Sequence, residues 1–474
     1  MSDSAPIPRL AGDRAWCATA PAAERRAWIV VIGVATLVAA LGAQSHVGGW
    51  NDGSRLATIE SLVDRHTWSI DESFFVRREA DATPAQLVAV PDLTLDKLRI
   101  GNRFYSDKPP VLALLLAGPY WLWRTAGGAA ARLVPDRFCY WMALASAGVG
   151  YVVAVGAVFA LGGAIGVSLL PRLVLASSLA FATLALPYSR SVNGHIALLA
   201  AAAVLFLVLA RARGSASAPP RTWLAAGVLA GLAYTLDLAA GPLLLVCVAL
   251  YAAVRGGRRA VASLLAAALP WVALHHAITW VIGGTLLPLN ADPSRFVWPG
   301  SPFGGGLTGA WHHDGLLDAL IYAAALLLGK RGFLLHNLPL LTALAGAGLV
   351  WRQRPREAGL LACGLGWAVA TWVACAIASN NYSGECASIR WLLPLLAPGY
   401  LALAVVLRER RDWLVFVLVL SVTGMTLAIP MWWRGPWNGR TVPGFWFVQA
   451  AALASCVAIR RYRAPRSRFS APRL

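Results

Sequence analysis

Residues 28–43 read WIVVIGVATLVAALGA, an uncharged run that is followed directly by a polar segment. A helix needs about 20 apolar residues to cross the ~30 Å hydrocarbon layer of a membrane. Similar runs recur throughout the 474 residues, of which 58% are hydrophobic and 13% charged. None shows the alternation of apolar and polar residues found in the strands of membrane β-barrels. The sequence therefore predicts an all-α fold, a polytopic transmembrane helical bundle.

The positive charge of the chain, +19, is spread over short segments between the apolar runs. It forms no single basic face or arm of the kind that binds nucleic acid, so we expect no nucleic-acid partner. Short arginine-rich loops instead mark the cytoplasmic side of a membrane protein. Six clusters are expected on that side: Arg25/Arg26, Arg211/Arg213/Arg221, Arg255/Arg258/Arg259, Arg352/Arg354/Arg356, Arg408/Arg410/Arg411 and the arginines from Arg460 to the end.

These basic clusters decide which apolar runs are expected to cross the membrane. Five runs lie between the N-terminus and Arg211, whereas an even number of crossings is required. The run 109–125 is short and is broken by Gly118-Pro119, so we interpret it as a juxtamembrane or re-entrant helix. The run 318–328 is likewise expected not to cross. About twelve spans remain, near 28–43, 138–160, 171–187, 195–211, 222–238, 241–254, 260–282, 333–350, 358–378, 391–407, 413–430 and 444–459.

The whole chain, 1–474, is expected to form one transmembrane domain with cytoplasmic tails at 1–27 and 460–474. The first tail lacks the layout of a cleaved signal peptide. Residues 44–108 form a large first outer loop, expected to be periplasmic and to carry juxtamembrane helices. This loop holds ten of the 22 acidic residues against eight basic ones, in a chain that is otherwise strongly basic. The polarity of this loop indicates that the loop forms part of a functional site.

Four polar stretches are predicted to meet at the outer face. In the first, Asp52 follows the first span, and Leu56, Ile59, Leu62 and Val63 recur at helical spacing, which predicts an interfacial helix. In the second, two prolines begin a helix at its first turn, which directs Lys108 along the membrane surface. The stretches are GGWNDGSRLATIESLVDRHTWSID (48–71), FYSDKPP (104–110), PYSRSVNGH (187–195) and NNYSGECASIRWLLP (380–394).

The order and placement of these motifs resemble those of the GT-C-fold integral membrane glycosyltransferases, the superfamily of the protein O-mannosyltransferases and the lipid A aminoarabinose transferases. The resemblance implies an inverting transfer of a sugar from a polyprenyl-phosphate-linked donor to an acceptor hydroxyl. It implies that Asp52 is the base for the acceptor. Relatives often place a second acidic residue where this chain has His195. No cofactor is therefore certain, with a divalent metal ion as the alternative.

The chemistry of such a transfer calls for cations that hold the departing phosphate. Arginine offers bidentate geometry, and lysine a point charge. The candidate phosphate ligands are Lys108, Arg190, Arg390, Arg55, Lys330 and Arg331, and the residues expected to line the site are Asp107, Tyr188, Asn193, His195 and Glu385.

Several of these residues have an alternative role. Asp52 is also a good residue for capping a helix. Lys108 and Arg190 are placed where boundary cations pair with lipid headgroups. Asp237 either lines a cavity or caps a helix end. The stretch MWWRGPW (431–437) either stacks on a sugar or belongs to the aromatic belt at the membrane surface.

Two other functions are consistent with a polytopic bundle: transport of a lipid or solute, and a scaffold of the same fold without catalysis. Transport gives no reason for the long charged loop 44–108. For the transferase, the expected partners are the bilayer, a polyprenyl-phosphate sugar donor and an acceptor that the sequence does not identify. The expected location is the cell inner membrane, which the chain crosses several times with both termini cytoplasmic, and the transfer is expected at the outer face of that membrane.

Overall fold

The computed structural model describes residues 21–77, 82–212, 219–303, 311–353, 356–437 and 442–463. Residues 1–20 and 464–474, which make up most of the two predicted cytoplasmic tails, lie outside the described residues. Arg213 and Arg354 of the predicted cytoplasmic loops also lie outside them.

The first helix is followed by a folded segment that joins it to the rest of the bundle. This segment contains short helices and a two-stranded antiparallel ribbon, in which Lys97 pairs with Ser106 and Ile100 with Arg103. The elements are α1 (Pro21–Gly42), α2 (Trp50–Asp64), α3 (Pro84–Ala89), β1 (Lys97–Ile100), β2 (Arg103–Ser106) and α4 (Pro110–Thr125).

The remaining helices form the bundle. A π-helical turn, Leu144–Gly148, joins the first two of them into one continuous helix. They are α5 (Pro135–Ala143), α6 (Val149–Ala164), α7 (Leu169–Phe181), α8 (Ala185–Tyr188), α9 (Gly194–Ala212), α10 (Pro220–Leu236), α11 (Ala240–Gly283), α12 (Leu316–Leu328), α13 (Leu340–Arg352), α14 (Ala358–Ile377), α15 (Leu396–Glu409), α16 (Leu414–Arg434) and α17 (Phe445–Arg463).

Within the described residues, seven helices are long and apolar enough to cross a membrane, and two apolar helices are shorter. The polytopic all-α bundle expected from the sequence is therefore confirmed as a fold class. The count of about twelve crossings stays a prediction. The long helix α11 divides at Gly257, where φ is 65° and ψ is −161°. Glycine adopts this backbone conformation without a side-chain clash, which explains how two predicted spans meet here.

The segment between α1 and α4 differs from the expectation in two respects. The β1–β2 ribbon was not predicted. The helix predicted at Asp52 is present as α2, but residues Asn51 to Ser61 are all buried, so α2 is not half exposed. It packs on α4 and on β2, which cover the side that an interfacial helix would expose.

Helix α9 lies at the centre of the bundle, packed against α6, α10 and α15. Buried residues occur on all of its faces, from Gly194 to Ala210. A helix that is apolar all round is typically such a central one. The site described below lies at its N-terminal end, and the packed core therefore holds the first residues of α9 in place.

Close packing of α10 against α11 leads to a stability prediction. A Cβ added to Gly227 would lie 2.1 Å from the backbone oxygen of Leu264, whereas one added to Gly33 would meet nothing within 4 Å. Overpacking of this kind costs about 1–3 kcal/mol. We expect Gly227→Ala to lower the melting temperature of the purified protein in detergent, and the control Gly33→Ala not to lower it. Equal melting of the two variants would contradict the packing described here.

Candidate active site

Several segments meet at the end of the bundle that carries residues 44–108. The backbone N–H of Ala387 donates to the oxygen of Pro436 at 3.0 Å. The indole N–H of Trp437 donates to Ser191 Oγ at 2.7 Å. A Cβ on Gly48 would lie 2.5 Å from the Trp437 side chain. The structure thus brings together the start of the outer loop, the 187–195 stretch, the 380–394 stretch and the residues that follow α16.

Asp52 caps the N-terminus of α2. Its Oδ2 accepts the N–H of Gly48 and its Oδ1 accepts the N–H of Gly49, both at 2.8 Å. The side chain is almost completely buried, with 1% of the residue exposed. Gly49 is the N-cap of α2, so Asp52 is the third helical residue, and its carboxylate reaches back to the preceding backbone as in a capping box.

Burial raises the pKa of Asp52 to about 6 from an ordinary value of 3.8. The folded chain thus holds a proton that the unfolded chain has released, and stability from this group is lost as the pH rises through about 6.

Relative to Asp52→Asn, the native protein should lose up to about 3 kcal/mol of unfolding free energy between about pH 4 and 7. Denaturation curves at several pH values test this prediction. Asp92→Asn, an exposed change in the same loop, is the control. A pH-independent difference between native protein and Asp52→Asn would contradict it.

Arg55 lies one turn after Asp52 and is only 4% exposed. One terminal nitrogen, Nη1, donates to the backbone oxygen of Asn51 at 3.0 Å and to its side-chain oxygen at 2.5 Å. Nε is fully buried and has no acceptor among the described residues. Burial lowers the pKa of Arg55 to about 10, so the guanidinium remains charged at neutral pH. Its free donors face the N-terminus of α9, where Nη2 approaches Gly194.

Arg390 provides a second guanidinium group close to Arg55, on a residue that is partly exposed. Its Nε is also fully buried and without an acceptor in the part of the chain that the structure describes. The guanidinium carbon lies 5.0 Å from the ring centre of Trp437. Trp437 in turn packs edge-on against the buried Tyr188, with ring centres 5.5 Å apart. Arg55 and Arg390 are near enough to repel each other electrostatically. Both therefore present unsatisfied donors in one region.

Lys108 lies between two carboxylates. Its Nζ is 2.7 Å from Asp96 Oδ2 and 2.7 Å from Asp107 Oδ2. All three side chains are mostly buried, with exposures of 12–15%. Burial raises the pKa of Asp107, and the ammonium group of Lys108 opposes that rise. Since Asp96 and Asp107 both pair with the lysine, the charge of Lys108 is already neutralised.

Arg190 holds helix ends together. Its Nε donates to the backbone oxygen of Gly42 at 2.8 Å. Its Nη1 donates to the backbone oxygens of Trp432 and Trp433. The side chain thus satisfies carbonyl groups at the C-terminal ends of α1 and α16, where helices lack internal partners. These contacts give Arg190 a structural role that does not require a bound phosphate. We therefore leave Arg190 out of the residues proposed to bind phosphate.

Four further predicted site residues have peripheral or structural positions. Lys330 and Glu385 are exposed. Arg331 donates from Nη1 to the backbone oxygen of Gly384 at 3.0 Å, which fixes the loop before Arg390. Asn193 caps α9, because its Oδ1 accepts the N–H of Ile196 at 3.1 Å.

His195, the second residue of α9, faces Asp237 at the end of α10. The distance between His195 Nδ1 and Asp237 Oδ2 is 3.2 Å. The other carboxylate oxygen, Oδ1, accepts the N–H groups of Ala239 and Ala240 at 2.9 and 2.8 Å. Asp237 therefore combines the two alternative roles considered from the sequence. It caps the start of α11, and it faces His195 in the candidate site.

The sequence did not identify Asp96 and Trp437 as site residues. Asp96 lies just before β1, and neither spacing nor a motif linked it to Lys108. Trp437 was seen only within the Trp-rich stretch 431–437, whose alternatives were a sugar platform and an aromatic belt. The structure divides this stretch, because Trp437 packs within the site whereas Trp433 is 77% exposed. No group of three or more His, Cys, Asp or Glu residues that could hold a metal ion occurs in the described ranges.

No family model matches the sequence, and comparison with curated proteins gives no match. Among solved structures, the chain is similar to ArnT from Cupriavidus metallidurans bound to undecaprenyl phosphate. The TM-score is 0.51 with 14% sequence identity, covering 91% of this chain and 76% of that chain. The apo state of ArnT gives the same TM-score and coverage with 15% identity.

A third similar structure is an apo oligosaccharyltransferase from Archaeoglobus fulgidus. It has a TM-score of 0.44 and 15% identity, covering 91% of this chain and 55% of that chain, and we draw no conclusion from it. The similarity to ArnT shows the fold. The chain is a multi-pass membrane protein with the GT-C fold, as the sequence motifs implied.

Proposed function

We propose that this protein is a glycosyltransferase that moves a sugar from a polyprenyl-phosphate-linked donor to an acceptor hydroxyl at the outer face of the inner membrane. The observation that carries the proposal is a pair of neighbouring arginines, Arg55 and Arg390, whose buried Nε–H groups have no acceptor among the described residues. Two neighbouring cations with unsatisfied donors are costly to bury. A phosphate group between them would supply both the acceptors and the negative charge.

The charge balance around this pair supports an anion. Asp96 and Asp107 interact electrostatically with both arginines. Their direct partner, however, is Lys108, at 2.7 Å from each carboxylate. Among the described residues, the arginines thus have no hydrogen-bonded carboxylate, and such guanidinium groups are suited to stabilising the charge that develops on a departing phosphate.

An apolar groove beside α4 and α5 suits the lipid part of such a donor. Its volume is about 250 Å³, and the side chains that line it include Trp123, Phe138 and Met142. The groove is lined by the second half of α4, from Pro119, and the first half of that helix leads back to Pro110, two residues after Lys108. The ArnT structure of the same fold was solved bound to undecaprenyl phosphate, which is a lipid of this class.

The two other functions make different demands on the site. A solute transporter does not require unsatisfied arginine donors beneath a folded outer segment. A non-catalytic scaffold of this fold could bind the lipid phosphate without turnover. The transferase is distinguished from both by consumption of a lipid-linked sugar.

Mass spectrometry of lipid-linked sugars and envelope glycans in a strain that lacks the protein tests the proposal. We expect one polyprenyl-phosphate-linked sugar to accumulate and one glycan to lose that sugar. The native gene should reverse both changes, as should Lys330→Ala, whereas Arg390→Ala should reverse neither. Unchanged lipid-linked sugars and glycans in the deletion strain would contradict the function.

A further inference from the structure

His195 and Asp237 form an acid–base dyad at the meeting point of α9 and the connection from α10 to α11. The contact between Nδ1 and Oδ2 is 3.2 Å, and the two side chains are 9% and 12% exposed. Backbone N–H groups of Ala239 and Ala240 fix the carboxylate. We propose that His195, oriented by Asp237, is the base that takes the proton of the acceptor hydroxyl. This inference rests on the proposed transferase function.

The orientation of the imidazole ring supports this role. Nδ1 is fully buried and lies 3.2 Å from Asp237 Oδ2, a charged contact that does not have the geometry of a hydrogen bond. Nε2 makes no hydrogen bond to a described residue and is not among the fully buried polar atoms, so it lies on the accessible edge of the ring. A carboxylate 3.2 Å from one ring nitrogen favours the proton on that nitrogen and leaves the other nitrogen available for proton transfer, as in a general base.

The position of the dyad relative to the arginine pair also supports it. The charged groups that face His195 are Asp237, Arg390 and Arg55, which all interact with it electrostatically. Arg55 comes from α2, Arg390 from the segment before α15, and Cys375 of α14 lies near Asp237. A phosphate held by the arginines would therefore place its sugar close to His195.

Asp52 is less suited to the same step. Both of its oxygens accept backbone N–H groups, at 2.8 Å each. Only 1% of the residue is exposed, compared with 7% for His195. Asp52 then positions α2, and through it Arg55, while the histidine takes the proton.

A lone pair of the acceptor oxygen forms the new bond to the anomeric carbon while His195 Nε2 takes the hydroxyl proton. The bond between that carbon and the phosphate oxygen breaks, and its electron pair leaves with the lipid phosphate, beside Arg55 and Arg390. Asp237 stabilises the imidazolium ion, which afterwards releases its proton to water.

The experiment uses the full-length protein in detergent. The lipid extract of the deletion strain serves as donor and the envelope fraction of that strain as acceptor, with release of undecaprenyl phosphate followed by mass spectrometry. We expect His195→Gln to lower kcat by about 100-fold or more and to abolish the acidic limb of the pH profile. Asp237→Asn should also lower kcat, and the double variant should be no worse than His195→Gln.

Binding of undecaprenyl phosphate and the melting temperature should stay close to native in His195→Gln, which separates a chemical role from a structural one. If His195→Gln kept native kcat and the acidic limb while Asp52→Asn was inactive, the dyad would be overturned and the transferase would stand. If the native protein released no undecaprenyl phosphate, both proposals would fall.

Discussion

Arg390→Ala is expected to weaken the binding of undecaprenyl phosphate by about 100-fold, since removing one partner of a buried charged contact costs about 2–5 kcal/mol. The arginine has an unsatisfied, fully buried Nε and lies over Trp437. Arg390→Lys should recover only part of the affinity, because an ammonium group cannot make the bidentate contact. Native mass spectrometry or equilibrium binding of the purified protein measures the change.

Lys330→Ala is the matched control for this measurement, because Lys330 is a nearby exposed cation. It should bind undecaprenyl phosphate as the native protein does. Native affinity in a correctly folded Arg390→Ala variant would remove the arginine pair from the phosphate site.

Lys108→Ala is expected to destabilise the fold by about 3 kcal/mol or more, the usual result of removing one partner from a buried ion pair. The change would leave Asp96 and Asp107 facing each other without the ammonium group that now lies 2.7 Å from both. Chemical denaturation in detergent micelles measures the loss. Adding Asp107→Asn to Lys108→Ala should recover part of the stability, because it removes one of the two uncompensated charges.

A lysine that bound the phosphate of the donor would give a different result when it is replaced. If Lys108 bound the donor directly, Lys108→Ala would keep native stability and lose lipid affinity. That result would restore Lys108 to the ligand set proposed from the sequence.

The fold class was predictable because its signal is local. The sequence shows the apolar runs, the arginine clusters and the position of Gly257 without any knowledge of tertiary contacts. The proximity of the four outer stretches was also predictable, because segments at the ends of spans on one side of a membrane are confined to the same surface of the bundle. The sequence also contains a pattern typical of the β1–β2 ribbon. Gly101, with φ 61°, and Asn102 form a two-residue turn between residues that favour strands.

Side-chain partners were harder to predict because they depend on distant segments. The sequence places Arg190 at a membrane boundary, yet nothing in it shows that Gly42 and Trp432 supply its acceptors. In the same way, Lys108 had an adjacent acidic neighbour in Asp107, but its second partner, Asp96, is brought to it by the ribbon. These contacts separate the arginines that hold the fold from those that remain available to a ligand.

Asp237 shows the same limitation for catalysis. A lone aspartate at a span end is equally consistent with a cap and with a site residue. Its contact with His195 at 3.2 Å depends on how α9 and α10 pack. A Cβ on Gly194 would lie 2.7 Å from the backbone oxygen of Leu236, so only glycine permits this approach without a shift.

Arg55 and Arg390 are proposed to bind the phosphate of a polyprenyl lipid. The most direct test is an electron cryomicroscopy structure of the native protein with undecaprenyl phosphate. We expect phosphate density within hydrogen-bonding distance of both guanidinium groups, with Lys108 still paired to Asp96 and Asp107. Phosphate density at Arg190 or Lys330, with the Arg55–Arg390 pair unoccupied, would show that this pair does not bind the lipid phosphate.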